Sequence, residues 1–285
     1  MGNDLKKHLA KLSRRGPEDV LVGDLDYVGI PGKVYTPANV KAGPGLVFVH
    51  DWMKNISAYH RTLRHLASWG FVVIAPDTET SAFPNHRNLA SDVESCLQIL
   101  TGVRLGEGNI TVAPGKLGIV GHGMGAGAGV LAAAQRDNVA AVAALYPSDT
   151  NPSSILAAES VDCPGMIVGT GDIPLFSYGN APAMATHWAG DCVYREVAKA
   201  GHHTLSEDLF VKVATGLGSW RFSVRERLRG LVTGYMLYQL TGDKDYADFA
   251  DPEAETKNIT SYWGEKLEQR GDSSDRSRLS LDFFK

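Results

Sequence analysis

Between Lys116 and Ala134 the chain reads KLGIVGHGMGAGAGVLAAA, and this stretch limits the possible folds more than any other. An apolar run from Leu117 to Val120 meets a Gly-x-Gly-x-Gly turn and leaves it as an Ala-rich helical pattern. That is how a buried parallel strand turns sharply into a helix. The turn is Gly121-His122-Gly123-Met124-Gly125. Its outer glycines let strand and helix approach closely, and its centre calls for a backbone conformation that glycine adopts without a Cβ clash.

The same residues also satisfy a dinucleotide-binding fingerprint, Gly121-x-Gly123-x-x-Ala126. That fingerprint opens the first βαβ unit and needs an acidic residue about 20 positions later, at the end of the next strand. Here several strand patterns precede the turn. The next one, Val139 to Tyr146, ends in Pro147-Ser148, with Asp149 only beyond it. The nucleotide reading is the weaker one, and a purely packing role for the glycines leaves their companions elsewhere in the chain unexplained.

A chain of 285 residues with 44% apolar content can bury one large core. Its net charge of -4 offers no global positive field to collect phosphates, which argues against a general nucleic-acid binder. Cys96, Cys163 and Cys192 are far apart and show no C-x-x-C spacing, so neither a disulfide framework nor a zinc site is expected. The opening MGNDLKKHLAKLSRRGPEDV lacks the apolar segment of a signal peptide, and nowhere do about 18 apolar residues run together. A cytoplasmic location is the expectation.

Leu5, Leu9 and Leu12 fall at helical spacing among Lys6, Lys7, Lys11, Arg14 and Arg15, which predicts a basic amphipathic helix within residues 1–19. Such a helix docks on its own domain or makes a weak contact with an anionic membrane surface. Val20 to Val28 and Lys33 to Tyr35 read as a hairpin. Gly45 to His50, Phe71 to Ala75, Val139 to Tyr146, Gly165 to Gly169 and Cys192 to Val197 read as buried strands. Helical patterns over Ser57–Trp69, Asn88–Val103, Ala181–Trp188, Leu205–Val213 and Val224–Leu240 alternate with or follow them. Repeated strand and helix imply a mostly parallel twisted sheet covered on both faces, with no insertion long enough for a lid domain. The predicted domain spans residues 20–250, and polar composition from 251 to 285 predicts a loosely attached tail.

Three residues fall in the order of a nucleophile, an acid and a base, each in a loop after a strand: Gly123, Asp172 and His202. In the α/β-hydrolase fold the elbow is written Gly-x-Ser-x-Gly, and the serine at its centre is deprotonated by a histidine that a carboxylate orients. Here the centre is Gly123. Oxyanion donors would come from the backbone N–H groups of Met124, after the elbow, and Trp52, after the third strand. Asp51 beside them would repel a developing oxyanion if it faced inward, or would cap the following turn if it faced away. His203 is one residue from His202. The pattern names no metal ligand and no cofactor.

LRHLASWGFVVIAPDTET, GKLGIVGHGMGAG, KAGHHT and YQLTGDKDYADF together resemble the dienelactone hydrolase-like branch of the α/β-hydrolases. The resemblance is nearest to its polyester (PET) hydrolase and cutinase-like lipases, and it runs from about residue 45 to residue 249. It implies an α/β-hydrolase fold with a nucleophile at position 123, an acid at Asp172, a base at His202 and oxyanion donors at Trp52 and Met124. It also implies a substrate cleft bordered by Asp51, Trp52 and Ser148. Three features depart from the family: the glycine at 123, an acid loop one residue shorter, and Ser148 where the family has a substrate-clamping aromatic residue. Its members are usually secreted.

Removing the nucleophile of such a site costs about a millionfold in turnover. From a typical turnover of about 10 per second, the residual rate is on the order of one event per day. The expectation is therefore a protein that binds a small acyl, ester or other carbonyl ligand, or a partner, without hydrolysing it. The alternative is a carboxylic ester hydrolase whose serine has been replaced by Gly123. A third reading, in which His202 or Asp51 activates water directly, ranks below both because it forgoes an acyl intermediate.

Overall fold

A computed structural model describes residues 2–134, 136–170, 179–207 and 218–272. Nine strands form one sheet in the order β1-β2-β4-β3-β5-β6-β7-β8-β9. β1 (Val20–Asp24) and β2 (Gly32–Pro37) make the expected antiparallel hairpin. The first strand is shorter than its pattern because Asp26–Val28 wind into a 3-10 turn closed by Gly29 in the left-handed region. β3 (Ala42–Val49), β4 (Val72–Pro76), β5 (Thr111–His122), β6 (Ala141–Leu145), β7 (Gly165–Gly169) and β8 (Cys192–Val197) run parallel. This is the mostly parallel sheet of an α/β-hydrolase fold, and the described residues include no lid domain.

Period-2 alternation divides the core between the two faces of the sheet. Leu46 and Phe48 of β3 face α1 (Gly2–Leu12), α2 (His60–Ser68) and α7 (Gly218–Thr241), whereas Val47 and Val49 face the opposite side. That other side is covered by α3 (His86–Gly102), α4 (Met124–Ala133), α5 (Ser154–Ala158) and α6 (Ala181–Thr186). Leu5, Leu9 and Leu12 of α1 are buried in the first of these cores. Burial of each leucine stabilises the docked helix by about 1.5–3 kcal/mol. The apolar stripe of α1 is spent inside the protein, so only its basic face could meet an anionic surface. No helix of the described residues is long and apolar enough to cross a membrane.

Two expectations need correction. Residues 251–272 are not a loose tail: β9 (Ile259–Tyr262) pairs antiparallel with β8, and residues 265–272 are helical. The cause is Arg195 on β8, which is fully buried. Its guanidinium donates to the carbonyl oxygens of Asp248, Asp251 and Ala254 and to Ser261 Oγ at 2.7–2.9 Å. A buried cation must find acceptors, and the polar segment supplies them from its backbone. The helix expected over Leu205–Val213 does not begin at 205–207, which follow a 3-10 turn, and the rest of that stretch lies outside the described residues.

Packing of α4 on the sheet depends on small residues. A Cβ at Gly125 would collide with the carbonyl oxygens of Val49 and His50, and one at Gly121 would collide with the backbone of Ala126. Backbone atoms cannot move aside as a side chain can, so Gly125→Ala is expected to lower unfolding free energy by about 1–3 kcal/mol or more, read by chemical denaturation. An unchanged midpoint would show that α4 does not sit this close to β3.

Candidate active site

Gly123 joins β5 to α4 with φ 56° and ψ -120°, the sharp elbow that the sequence predicts. Its N–H donates to Leu145 O at 2.9 Å, and its carbonyl accepts from Ser148 N at 3.0 Å. The turn is thus pinned to the end of β6. Directly above it lies the carboxylate of Asp51, and a Cβ at position 123 would collide with Asp51 Oδ1. Of the two orientations open to Asp51, the structure takes the inward one.

Each carboxylate oxygen of Asp51 has its own partner. Oδ1 accepts from the N–H of Met124 at 3.0 Å, and Oδ2 meets Nε2 of His202 at 2.7 Å. Asp51 is 5% exposed. Burial opposes its charge, but the His202 hydrogen bond, the electrostatic influence of His122 and His202 beside it and the Met124 N–H outweigh it, and its pKa lies well below the usual carboxylate range. Met124 therefore spends on Asp51 the donor expected to stabilise an oxyanion, and His202 faces a carboxylate where a serine hydroxyl would lie.

His202 stands on a 3-10 turn, His202–Thr204, just after β8. Thr204 Oγ1 accepts from Gly201 N at 2.8 Å, and the buried Arg225 of α7 donates to the carbonyls of Thr204 and Ser206 at 2.7 and 2.8 Å. His202, rather than its neighbour His203, reaches Asp51, while His203 lines the cleft. Asp172, the expected acid, lies outside the described residues.

A second histidine, His122 of the elbow, backs the pair. Tyr59 Oη lies 3.1 Å from Asp51 N, as acceptor, and 2.8 Å from His122 Nδ1, while His122 Nε2 lies 2.7 Å from the carbonyl oxygen of His202. All of these bonds are satisfied by a neutral imidazole protonated on Nε2 that accepts from Tyr59 through Nδ1. Burial pushes the pKa of His122 down to about 4, and the charge of Asp51 offsets only part of that shift. Asp51, His122 and His202 bring donor atoms within 4.8 Å of one another, a spacing a metal ion could bridge. In this structure, however, both nitrogens of His122 and both oxygens of Asp51 are engaged by protein atoms. Neither Tyr59 nor His122 was among the expected site residues: Tyr59 sits in an ordinary helix-start pattern, and His122 occupies the variable position of the elbow.

Above Asp51 opens a cleft of about 740 Å³. Trp52, 45% exposed, anchors its indole by donating from Nε1 to Ala82 O at 3.1 Å. Met53, Phe83 and Pro84 extend this apolar rim, and Ser148 also lines the cleft. Trp52 and Ser148, both singled out in the sequence, border the cleft together with Asp51.

The buried histidines set a pH dependence of stability. An unfolded chain returns His122 to about 6.5, so between pH 6.5 and 4 the unfolded state binds more protons and stability is lost as pH falls. His65, held near 3 by burial and by the charge of Arg229, adds to the same loss. Asp51 acts in a lower window, below the ordinary carboxylate range, because its folded pKa is depressed. In His122→Gln the drop in unfolding free energy from pH 6.5 to 4 is expected to shrink by about 2–3 kcal/mol. Parallel pH profiles of the two proteins would contradict a neutral buried His122.

Comparison with known proteins identifies the family. The model of the dienelactone hydrolase family matches residues 30–189, more than half of the chain. The chain is also similar to the bis(hydroxyethyl) terephthalate hydrolase of Streptomyces coelicolor (strain ATCC BAA-471 / A3(2) / M145), with 30% identity over 201 residues. That alignment covers 66% of this chain and 61% of the relative, so the chain matches less than two thirds of the relative's length. The fold, the elbow and the family model agree: the chain belongs to the dienelactone hydrolase family.

Proposed function

We propose that this protein uses the cleft of its family without acyl-serine chemistry, as a binding site for a small ligand with an apolar body. The observation that carries this reading is the Asp51 carboxylate, which lies on the Met124 N–H and fills the space of a side chain at position 123. An acyl substrate attacked here would place its carbonyl oxygen against a negative charge rather than a donor. A carbonyl ligand gains nothing from that occupied donor, whereas the rim of Trp52, Met53 and Phe83 offers apolar contact.

A second reading, a carboxylic ester hydrolase whose serine has been replaced, draws support from the relative, a bis(hydroxyethyl) terephthalate hydrolase. It has to accommodate a serine beside Asp51. With Gly123→Ser alone, one of the two side chains has to leave the space above the elbow, and Asp51 is held by both His202 and Met124. The pair of residues 51 and 123 therefore decides between the readings.

The protein as it stands is expected neither to label with a fluorophosphonate nor to hydrolyse p-nitrophenyl butyrate or bis(2-hydroxyethyl) terephthalate. Gly123→Ser is expected to be less stable and equally silent, whereas Asp51→Gly combined with Gly123→Ser gains labelling that disappears when His202 is also replaced. Labelling of the unaltered protein would end the proposal, and activity in Gly123→Ser alone would favour the second reading. For binding, quenching of tryptophan fluorescence by bis(2-hydroxyethyl) terephthalate should be lost in Trp52→Ala; an unchanged response would move the binding surface away from this cleft.

A further inference from the structure

We propose that Asp51 is itself a nucleophile and that the cleft takes alkyl halides, hydrolysing them at a saturated carbon through an alkyl ester of Asp51. The inference rests on the reading above that the cleft binds an apolar ligand without acyl-serine chemistry.

The geometry carries it in three steps. First, a carboxylate can serve as a covalent nucleophile, and here it occupies the place of the missing hydroxyl, at the floor of an apolar cleft and against the histidine of the base position. Second, attack on a saturated carbon develops no oxyanion on the substrate. The Met124 N–H, whose engagement by Asp51 Oδ1 disables acyl transfer, is no obstacle to it. Third, that same N–H is correctly placed for the step that follows. Once Oδ2 carries an alkyl group, hydrolysis of the ester puts the oxyanion on Oδ1 of Asp51 itself, and Oδ1 already accepts from Met124 N at 3.0 Å.

A lone pair of Asp51 Oδ2 forms the O–C bond while the carbon–halogen bond breaks, and halide leaves through the open mouth of the cleft. The negative charge facing His202 is then gone, and the proton that Nε2 shared with Oδ2 passes to solvent. Water, deprotonated by His202, attacks Cγ of the Asp51 ester; the tetrahedral intermediate collapses and expels the alkoxide, which takes up the proton of the newly formed carboxyl group. His202 keeps the proton from water, and its pairing with the Asp51 carboxylate is restored. The sum is alkyl halide plus water giving alcohol, halide and one proton. Held by Arg225 through the carbonyls of Thr204 and Ser206, the loop keeps His202 beside the Asp51 carboxyl group through both steps.

The probe is 1-bromohexane, whose chain is apolar like the rim of Trp52, Met53 and Phe83 and whose bromine quenches the fluorescence of a neighbouring indole. His202→Gln keeps a donor for Oδ2 but no base, and is expected to accumulate one hexyl group per molecule, seen in the intact mass and mapped to Asp51 by peptide sequencing. Asp51→Asn in the same background loses the adduct. In the unaltered protein, bromide release in ¹⁸O-water should leave ¹⁸O in the Asp51 carboxyl after a single turnover, with unlabelled hexanol as product. No Asp51 adduct in His202→Gln together with no bromide release from the unaltered protein overturns the proposal. So does ¹⁸O appearing in the first-turnover alcohol with Asp51 unlabelled. Quenching of Trp52 without either reaction would remove the nucleophile and leave the binding role standing, whereas absence of quenching as well would remove both.

Discussion

One carboxylate decides the chemistry of this site. Asp51 places one oxygen on the Met124 N–H and the other on His202 Nε2, and its bulk fills the space above Gly123. A glycine at the elbow and an aspartate after the third strand are thus two halves of one arrangement. Either alone would fail: a side chain at position 123 collides with the carboxylate, and an elbow glycine without Asp51 would leave His202 and the Met124 donor without this shared acceptor. The charge is kept in a nearly buried place because its partners replace the water it has lost.

The scaffold around that carboxylate is built to hold His202 still. Arg225 and Arg229, one turn apart on α7, are both buried. Arg225 ties down the carbonyls of the His202 loop, and Arg229 donates to Thr62 Oγ1 at 2.9 Å and to Glu207 at 2.5 Å. Glu207 in turn accepts from the N–H groups of Arg61 and Thr62, the orphan donors at the start of α2. Buried charges of this kind are stable only when fully paired. The helix that covers the sheet, the loop that carries the histidine and the helix behind the hairpin therefore form a single polar unit.

Much of the fold was legible because it is written locally. β3, β4, β6, β7 and β8 are short apolar runs closed by turn residues, and the elbow is announced by three glycines in five positions. The last part of the chain was misread because its composition is polar. Its attachment is made by backbone carbonyls, which have no sequence signature, and the one hint was Arg195 inside the otherwise apolar strand CVYREV. His122 and Tyr59 escaped notice for a related reason. Each is an ordinary residue locally, and they meet only because β5 and the turn before α2 converge, 63 positions apart.

By itself the sequence determined the fold class, the elbow, the glycine at its centre and the loop that delivers His202, since each depends on periodicity and on residues that are neighbours in the chain. It could only pose two orientations for Asp51. Tertiary structure chose between them, because the partners of the carboxylate lie 73 and 151 residues away and no local pattern records which way a turn residue points. A buried charge goes where donors converge, and that convergence exists only after β3, the elbow and the loop following β8 have come together at one end of the sheet.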